Sequence, residues 1–328
     1  MKTGIKRVYF KMMRIRFGHF NIRDLSVGKL LDPGHPQILS ASAIIKKWRP
    51  DVLSINEIEA RQEAPQLFLE NFLQRSDAPL YYPYHYIGPT NSGMPTGLPQ
   101  PFDLKGFGLF EGQYGIALFS RFPILKEGIR SFEGFPWRSL PGNLSCLGER
   151  AGEVHEIFPL FSTNLIDVPL SIGGRGVHAV LLHASIPVRG LLNRERNGDQ
   201  LNFLNEYISG RALPDVEPFK AVEPFVVIGD LNADPERGSG IREAIRRLLS
   251  SPALSGLVPL VPTFLEGGGV ESPPLDTEGF SLRLDYILPS HDFIVMEQGV
   301  FRPEDADWWK LARLASDHFF VYVDCLLA

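Results

Sequence analysis

The 328-residue chain has only two cysteines, Cys146 and Cys325. Two thiols exclude a disulfide framework and a four-ligand zinc site, so both are expected as small reduced core residues. Long apolar runs are missing as well. The longest are short pieces such as Phe225 to Ile228 and Phe319 to Val323, far below the roughly 18 residues that span a bilayer, so membrane insertion is not expected. Nor is there an excess of positive charge: 33 Lys and Arg stand against 38 Asp and Glu, a net charge of −5. Proteins that hold long polyanions usually show a basic balance or patch. This balance therefore favours a small or medium-sized partner over duplex DNA, though nucleic acid remains open. Lys2, Lys6, Arg7, Lys11, Arg14 and Arg16 crowd the start, with no apolar stretch or small-residue site of a cleavable signal after them. Residues 1–13 read as a poorly ordered extension with Met1, Met12 or Met13 as the start, and the location expected is cytoplasmic. Oligomeric state leaves no trace in the sequence.

What is present is an ordinary globular composition, 44% hydrophobic and 22% charged, enough to build a packed core. Short β-type runs end abruptly in polar residues and alternate with amphipathic helical stretches, the pattern of a layered α/β protein. Strands are expected at Arg14 to Arg23, Asp51 to Ile55, Gly115 to Ser120, Val177 to His183, Phe225 to Gly229, Leu284 to Leu288 and Phe319 to Val323. Ile38, Ser42, Ile45 and Trp48 form a helical stripe that stops at Arg49-Pro50, because the residue before a proline leaves the helical region. Ser239 is expected to cap a helix with Ile241, Ala244, Ile245, Leu248 and Leu249 on its apolar face. Two stretches are irregular. Pro79 to Pro101, with six prolines and Tyr81, Tyr82, Tyr84 and Tyr86, reads as a long ordered loop that could line a cleft. Glu266 to Gly279 reads as flexible. Neither separates two self-sufficient halves and no internal repeat is visible, so one domain is expected over residues 14–328.

Acidic, amide and imidazole residues fall directly after the apolar strands: Asn21, Glu57, His183, Asp230, Asn232, Asp285, Asp317 and His318. In Gly229-Asp230-Leu231-Asn232 an extended chain would project Asp230 and Asn232 to one side, whereas an Asx-turn would bond the Asp side chain to its own backbone. His19 and His178, also among strand residues, read as structural imidazoles. Arg23-Asp24 reads as a local ion pair. Arg194, Arg196 and Asn197 sit ahead of a helix carrying Leu201, Leu204 and Ile208. There, Arg196 and Asn197 could grip a phosphate, with an ordinary solvated helix end as the alternative.

Taken in order, these segments resemble the endonuclease/exonuclease/phosphatase superfamily, which includes deoxyribonucleases, apurinic endonucleases and inositol polyphosphate phosphatases. The resemblance is carried by Phe20-Asn21-Ile22, by Asp51 to Glu57 with Asn56 where the family usually has Gln, and by Gly115 to Ile124 with its Ser120-Arg121-Phe122-Pro123. It continues through His183, Gly229 to Asn232, Arg283 to Leu288 and Ser316-Asp317-His318. It spans about residues 14 to 324. It implies an α/β fold with two packed mixed β-sheets flanked by helices, a four-layer αββα sandwich. It also implies a Mg²⁺-dependent phosphoester hydrolase, with Mn²⁺ or Ca²⁺ as alternative cations. Glu57 would be the main metal ligand, assisted by Asn21 and Asp317. Asp230 would orient or deprotonate the attacking water, with Asn232 holding it or a phosphate oxygen. His183 and His318 would donate to the transition state, and Asp285 would fix a histidine tautomer and keep it charged. The residues leave open which histidine assists the leaving oxygen, and whether the ester is a mono- or a diester. A nuclease and a catalytically silent binding member are the alternatives. A serine hydrolase is disfavoured by the missing Gly-x-Ser-x-Gly elbow.

Overall fold

The computed structural model describes residues 13–75, 77–100, 102–146, 156–188, 192–219, 223–256, 264–265 and 281–327. The Glu266 to Gly279 loop lies outside the described residues, as does the proposed extension except Met13, which opens the first strand. In chain order the strands are β1 (Met13–Leu25), β2 (Val52–Ile58), β3 (Tyr84–Ile87), β4 (Gly115–Ser120), β5 (Arg130–Ser131), β6 (Leu165–Ile172), β7 (Arg175–His183), β8 (Phe225–Asp230), β9 (Phe264–Leu265), β10 (Ser281–Leu282), β11 (Asp285–Pro289), β12 (Phe293–Val300) and β13 (Val321–Leu327). The α-helices are α1 (Val27–Leu30), α2 (Pro36–Trp48), α3 (Ala64–Phe68), α4 (Asn193–Ile208), α5 (Arg242–Leu249) and α6 (Ala306–Ala315). Among the described residues no helix is long and apolar enough to cross a membrane.

Two mixed sheets face each other. The first has the order β12-β13-β1-β2-β4-β3 and the second β11-β8-β7-β6-β5. Only β1 with β2 and β7 with β8 run parallel; the other pairs in these two sheets are antiparallel. Alternation along each strand sorts its side chains into layers. β1 sends Ile15 and Phe17 between the sheets, where they join Ile166, Val168, Val226, Ile228 and Ile287. Its Phe20 and Ile22 point the other way, onto Ile38, Ala41, Ile44 and Ile45 of α2 and Trp309 and Ala312 of α6. On the far side, Val180, Leu182 and Val227 pack under Leu201 and Leu204 of α4 and Ile245 and Leu248 of α5. These are the four layers of the DNase I-like fold.

The parity of β1, β7, β8 and β11 positions the chemistry. Continuing Ile15 and Phe17 by twos reaches His19 and Asn21; continuing Leu181 reaches His183; Val226 and Ile228 lead to Asp230; and Ile287 leads back to Asp285. Each polar residue thus lies on an inter-sheet face, at the end where the apolar filling stops.

Several local expectations are corrected. Tyr84–Ile87 is not loop but an edge strand paired with β4, its alternation hidden by the flanking prolines. α5 is preceded by Ile241 with no side-chain cap, so Ser239 does not play that part. α2 does end at Trp48, with Arg49 left-handed at φ 48°. Arg23 and Asp24 do not pair with each other: Arg23 lies 3.9 Å from Asp317 and Asp24 lies 3.1 Å from Lys29.

Away from the strand-end cluster, His178 bridges two carboxylates, with Nδ1 2.7 Å from Asp167 and Nε2 2.7 Å from Glu223. Tyr207 donates to the other Asp167 oxygen at 2.5 Å. Burial alone would lower the His178 pKa, but the two carboxylates raise it above its ordinary value. A raised folded pKa stabilises the fold fully below the unfolded value of about 6.5 and loses that contribution as pH rises through the folded value. His178→Gln should therefore cost about 3 kcal/mol at pH 5, because it strands a buried Asp167, and less at alkaline pH. Urea denaturation of both proteins from pH 5 to 9 should show that gap narrowing as pH rises; a constant gap would mean that His178 is neutral in the fold.

Candidate active site

Three adjacent strands of the second sheet place three polar residues on one rung. His183 of β7 is in register with Asp230 of β8, and Asp230 with Asp285 of β11. Gly229 makes that rung attainable. Its φ is 153°, and a Cβ there would sit 1.8 Å from the Leu182 carbonyl oxygen of β7. The same oxygen accepts from Asn56 Nδ2 of the opposite sheet at 3.3 Å.

The chain leaves β8 as an Asx-turn, not as an extended strand. Asp230 Oδ1 accepts from the Asn232 backbone N–H at 2.8 Å. Asn232 is left-handed at φ 48°, and its Nδ2 donates to the Ala184 carbonyl at 3.0 Å. The turn leaves Asp230 Oδ2 to face the first sheet, where Asn21 Nδ2 donates to it at 3.1 Å.

Glu57 is presented by an irregularity in the first sheet. The β2–β4 register shifts between Asn56 and Ile58, and Glu57 itself sits at φ 67°. Such strain in a non-glycine residue is held only where surrounding structure fixes it. Asn21 Nδ2 donates to Glu57 Oε1 at 3.1 Å and the Asp24 backbone N–H to Oε2 at 3.1 Å. The Asn21 amide thus spans two carboxylates, while its own Oδ1 is buried with no hydrogen-bond partner. The two carboxylates close on the amide nitrogen, and their oxygens together with the unpaired amide oxygen are hard donors of the kind Mg²⁺ takes. Glu59, two residues on, goes elsewhere, accepting from the Val27 N–H at 2.8 Å at the start of α1.

Asp285 ties the sheets together. One oxygen lies 2.8 Å from His318 Nδ1, just before β13, and the other 3.2 Å from His19 Nε2 of β1. His318 is held in turn by Ser316, whose Oγ accepts from the His318 backbone N–H at 3.1 Å and donates to the Asn21 carbonyl at 2.7 Å. Asp317 lies beside the cluster, its Oδ1 3.3 Å from the Ser316 hydroxyl. The Nε2 atoms of His318 and His183 each lie 3.8 Å from Asp230 Oδ2, on the cluster's shared volume.

These neighbours drive the protonation states apart. Burial would raise the Asp285 pKa, but His318 and His19 hold it well below the carboxylate range. Burial would likewise lower His318, but Asp285, with Asp230 and Asp317, raises it to about 10. Asp230 goes the other way, raised to about 6 by burial and by charged Asp285. Burial also raises Glu57. Burial lowers His183 despite Asp230 beside it. The cluster therefore contains a cationic imidazole, a neutral one and a carboxylate poised near neutrality, a separation typical of acid and base roles in one site. Among the described residues, ligand atoms of Asp230, Asp285 and His318 also fall within 4.8 Å of one another. Both Asp285 oxygens are engaged by imidazoles, and Glu57 is the least buried of the three carboxylates Glu57, Asp230 and Asp285.

The structure thus gathers Asn21, Glu57, His183, Asp230, Asn232, Asp285, Asp317 and His318. Arg196 and Asn197 are placed differently. Arg196 is buried, its Nε donating to the Leu160 carbonyl at 2.9 Å and Nη2 to those of Lys105 and Pro159 at 2.6 and 2.8 Å. Burial lowers its pKa to about 9. A guanidinium spent on carbonyls is a structural post, so the expected phosphate grip does not fit it. Asn197 donates to the Ser185 and Leu231 carbonyls at 2.8 and 3.0 Å and so braces the Asx-turn from beneath. Sequence reasoning read His19 as structural and quoted Ser316 and Gly229 only as parts of motifs, without a role; the signal for His19 was its parity with Asn21 on β1.

The sequence profile described as Endonuclease/Exonuclease/phosphatase family matches residues 19–318. The chain belongs to that family. Its superfamily consists mostly of hydrolases acting on phosphoesters, generally dependent on a divalent metal. Solved structures similar in fold include an endonuclease/exonuclease/phosphatase from Beutenbergia cavernae, with TM-score 0.59 and 20% identity over 96% of this chain and 72% of that one. A family protein from Leptotrichia buccalis gives TM-score 0.56 and 17% identity over 95% and 99%. A humanized D. rerio TDP2 gives TM-score 0.52 and 11% identity over 95% and 98%. No curated protein sequence matches the chain at a significant level.

Asp285→Asn should remove the charge that keeps His318 protonated. Its imidazole, followed by NMR, should titrate near pH 10 in the wild type and lower in the variant. An unchanged titration would mean that Asp285 does not set the His318 charge.

Proposed function

We propose that this chain is a divalent-metal-dependent phosphoester hydrolase in which a carboxylate-activated water attacks phosphorus. The observation that carries the reading is the rung of His183, Asp230 and Asp285 facing Asn21 and Glu57, with His318 charged by Asp285. Glu57 would be the main metal ligand, assisted by Asn21 and Asp317. A cation held there, Mg²⁺ or a similar hard ion, would supply Lewis-acid withdrawal of charge from the phosphoryl oxygens.

Asp230 Oδ2 accepts the proton of the attacking water as its oxygen bonds to phosphorus, and a pKa near 6 suits that task around neutral pH. Asn232 fixes the Asp230 rotamer through the Asx-turn. The His318 imidazolium faces the charge that builds on the phosphoryl group, with His183 as a neutral N–H donor beside it. As the P–O bond to the alcohol breaks, the departing oxygen takes its proton from this imidazole pair. Exposed Arg23, 3.9 Å from Asp317, is assigned the phosphate contact that Arg196 does not make. The net charge of −5 favours a small or medium-sized ester over long nucleic acid.

The test is hydrolysis of a phosphomonoester, a small diester, an inositol phosphate, RNA and plasmid DNA, with Mg²⁺ and with EDTA. The expected outcome is Mg²⁺-dependent release from a small ester. Asp230→Asn and His318→Ala should each lower kcat by about 10² or more with the fold intact, and Glu57→Gln should weaken Mg²⁺ binding strongly, so that much more Mg²⁺ is needed for activity. Full activity in EDTA would sink the reading, and a tenfold preference for DNA with steep salt dependence would make the protein a nuclease.

A further inference from the structure

Isolated exposed apolar side chains are normal on a protein surface, but five large ones share two loops beside the active site. Phe107 is 64% exposed, Leu109 80% and Phe110 45%, on the loop before β4; Ile186 is 40% and Val188 64% exposed, just after His183 and the end of β7. The loops are tied to each other. Gly106 packs so closely on Ser162 that a Cβ would meet the Ser162 carbonyl oxygen at 1.7 Å, and Ser162 Oγ is 2.8 Å from Ser185 Oγ. Arg196 anchors both sides of this seam, through the Lys105 carbonyl at 2.6 Å and the Leu160 carbonyl at 2.9 Å.

The same loops are tied to the catalytic residues. The Leu109 N–H donates to Gln113 Oε1 at 2.7 Å, and Gln113 Nε2 donates to Asp24 Oδ1 at 3.3 Å. Asp24 in turn holds Glu57 through its backbone N–H at 3.1 Å. On the other side, Ala184, two residues before Ile186, accepts from Asn232 at 3.0 Å. Phe107 stacks on Tyr114 with ring centroids 6.1 Å apart at 18°, which fixes an aromatic platform at the mouth. The described residues of these loops include acidic Glu111, and Gln113 reaches acidic Asp24.

We propose that this apolar rim receives an alkyl group of the substrate, and that the substrate is a phosphoester carrying such a group. This rests on the phosphoesterase reading and narrows it. The reacting phosphate lies among His183, Asp230 and His318 while the apolar group lies across Phe107 and Leu109, out of water. Burying apolar surface there adds binding without touching the reacting atoms, so its signature is in KM.

The experiment compares methyl 4-nitrophenyl phosphate with octyl 4-nitrophenyl phosphate below its micellar concentration, with Mg²⁺ present. The two carry the same charge and the same leaving group. The wild type should show at least about a tenfold lower KM for the octyl ester. The double variant Phe107→Ser, Leu109→Ser should lose that advantage and retain its kcat/KM on the methyl ester. Equal KM values for the two esters, or an octyl preference that survives in the double variant, would overturn the inference and leave the phosphoesterase reading standing. If neither diester is cleaved, octyl phosphate and methyl phosphate are compared in the same way by phosphate release, and absence of hydrolysis of all four esters overturns that reading and this one with it. Co-sedimentation with phosphatidylcholine vesicles that the double variant loses, without an octyl advantage, would make the rim a membrane-docking surface and overturn the proposal.

Discussion

The Asp285 carboxylate, buried between the two sheets and shared by His19 and His318, is the contact on which the rest of the site depends. An uncompensated charge there would be prohibitive. Two imidazoles from the first sheet compensate it, and in doing so they fix how the second sheet's rung meets the first. Charged Asp285 then raises its neighbour Asp230 and keeps His318 cationic. One ion pair thus sets both the geometry and the division of labour. The remaining anchors hold smaller angles: Asn21 spans Glu57 and Asp230, Ser316 links the His318 backbone to β1, and Asn197 supports the turn at Asp230.

The layered architecture explains why such a site appears at this end of the sandwich. Strand parity carries apolar side chains between the sheets until Phe17, Leu181, Ile228 and Ile287, and the next inward positions are polar. The interior converts from packing to chemistry within one residue pair per strand. A Cβ at Gly229 would sit 1.8 Å from the Leu182 carbonyl oxygen, so glycine there leaves that oxygen open to Asn56 of the opposite sheet. Strained backbone at Glu57 and Asn232 then turns the outermost side chains back toward the centre.

Much of this was legible in the sequence, because apolar runs ending in Asn, Asp, Glu or His are local signals and the ordered motifs extended them along the chain. What was not legible depends on partners far away. His19 reads as an ordinary strand histidine because its carboxylate is 266 residues distant. Arg196 at a helix start reads as a phosphate ligand because sequence cannot reveal that three carbonyls, from Lys105, Pro159 and Leu160, converge on it. β3 was obscured by prolines that flank it without interrupting its ladder. The Asx-turn at Asp230 replaced the extended geometry because the side chain bonds its own backbone before the strand can continue.

The claim that Asp230 delivers water to phosphorus is tested most directly by hydrolysis of a small phosphoester in ¹⁸O-labelled water with mass analysis of both products. The account predicts one ¹⁸O in the phosphate-containing product, none in the alcohol, and loss of that product in Asp230→Asn. Label in the alcohol would place the attack on carbon and contradict it.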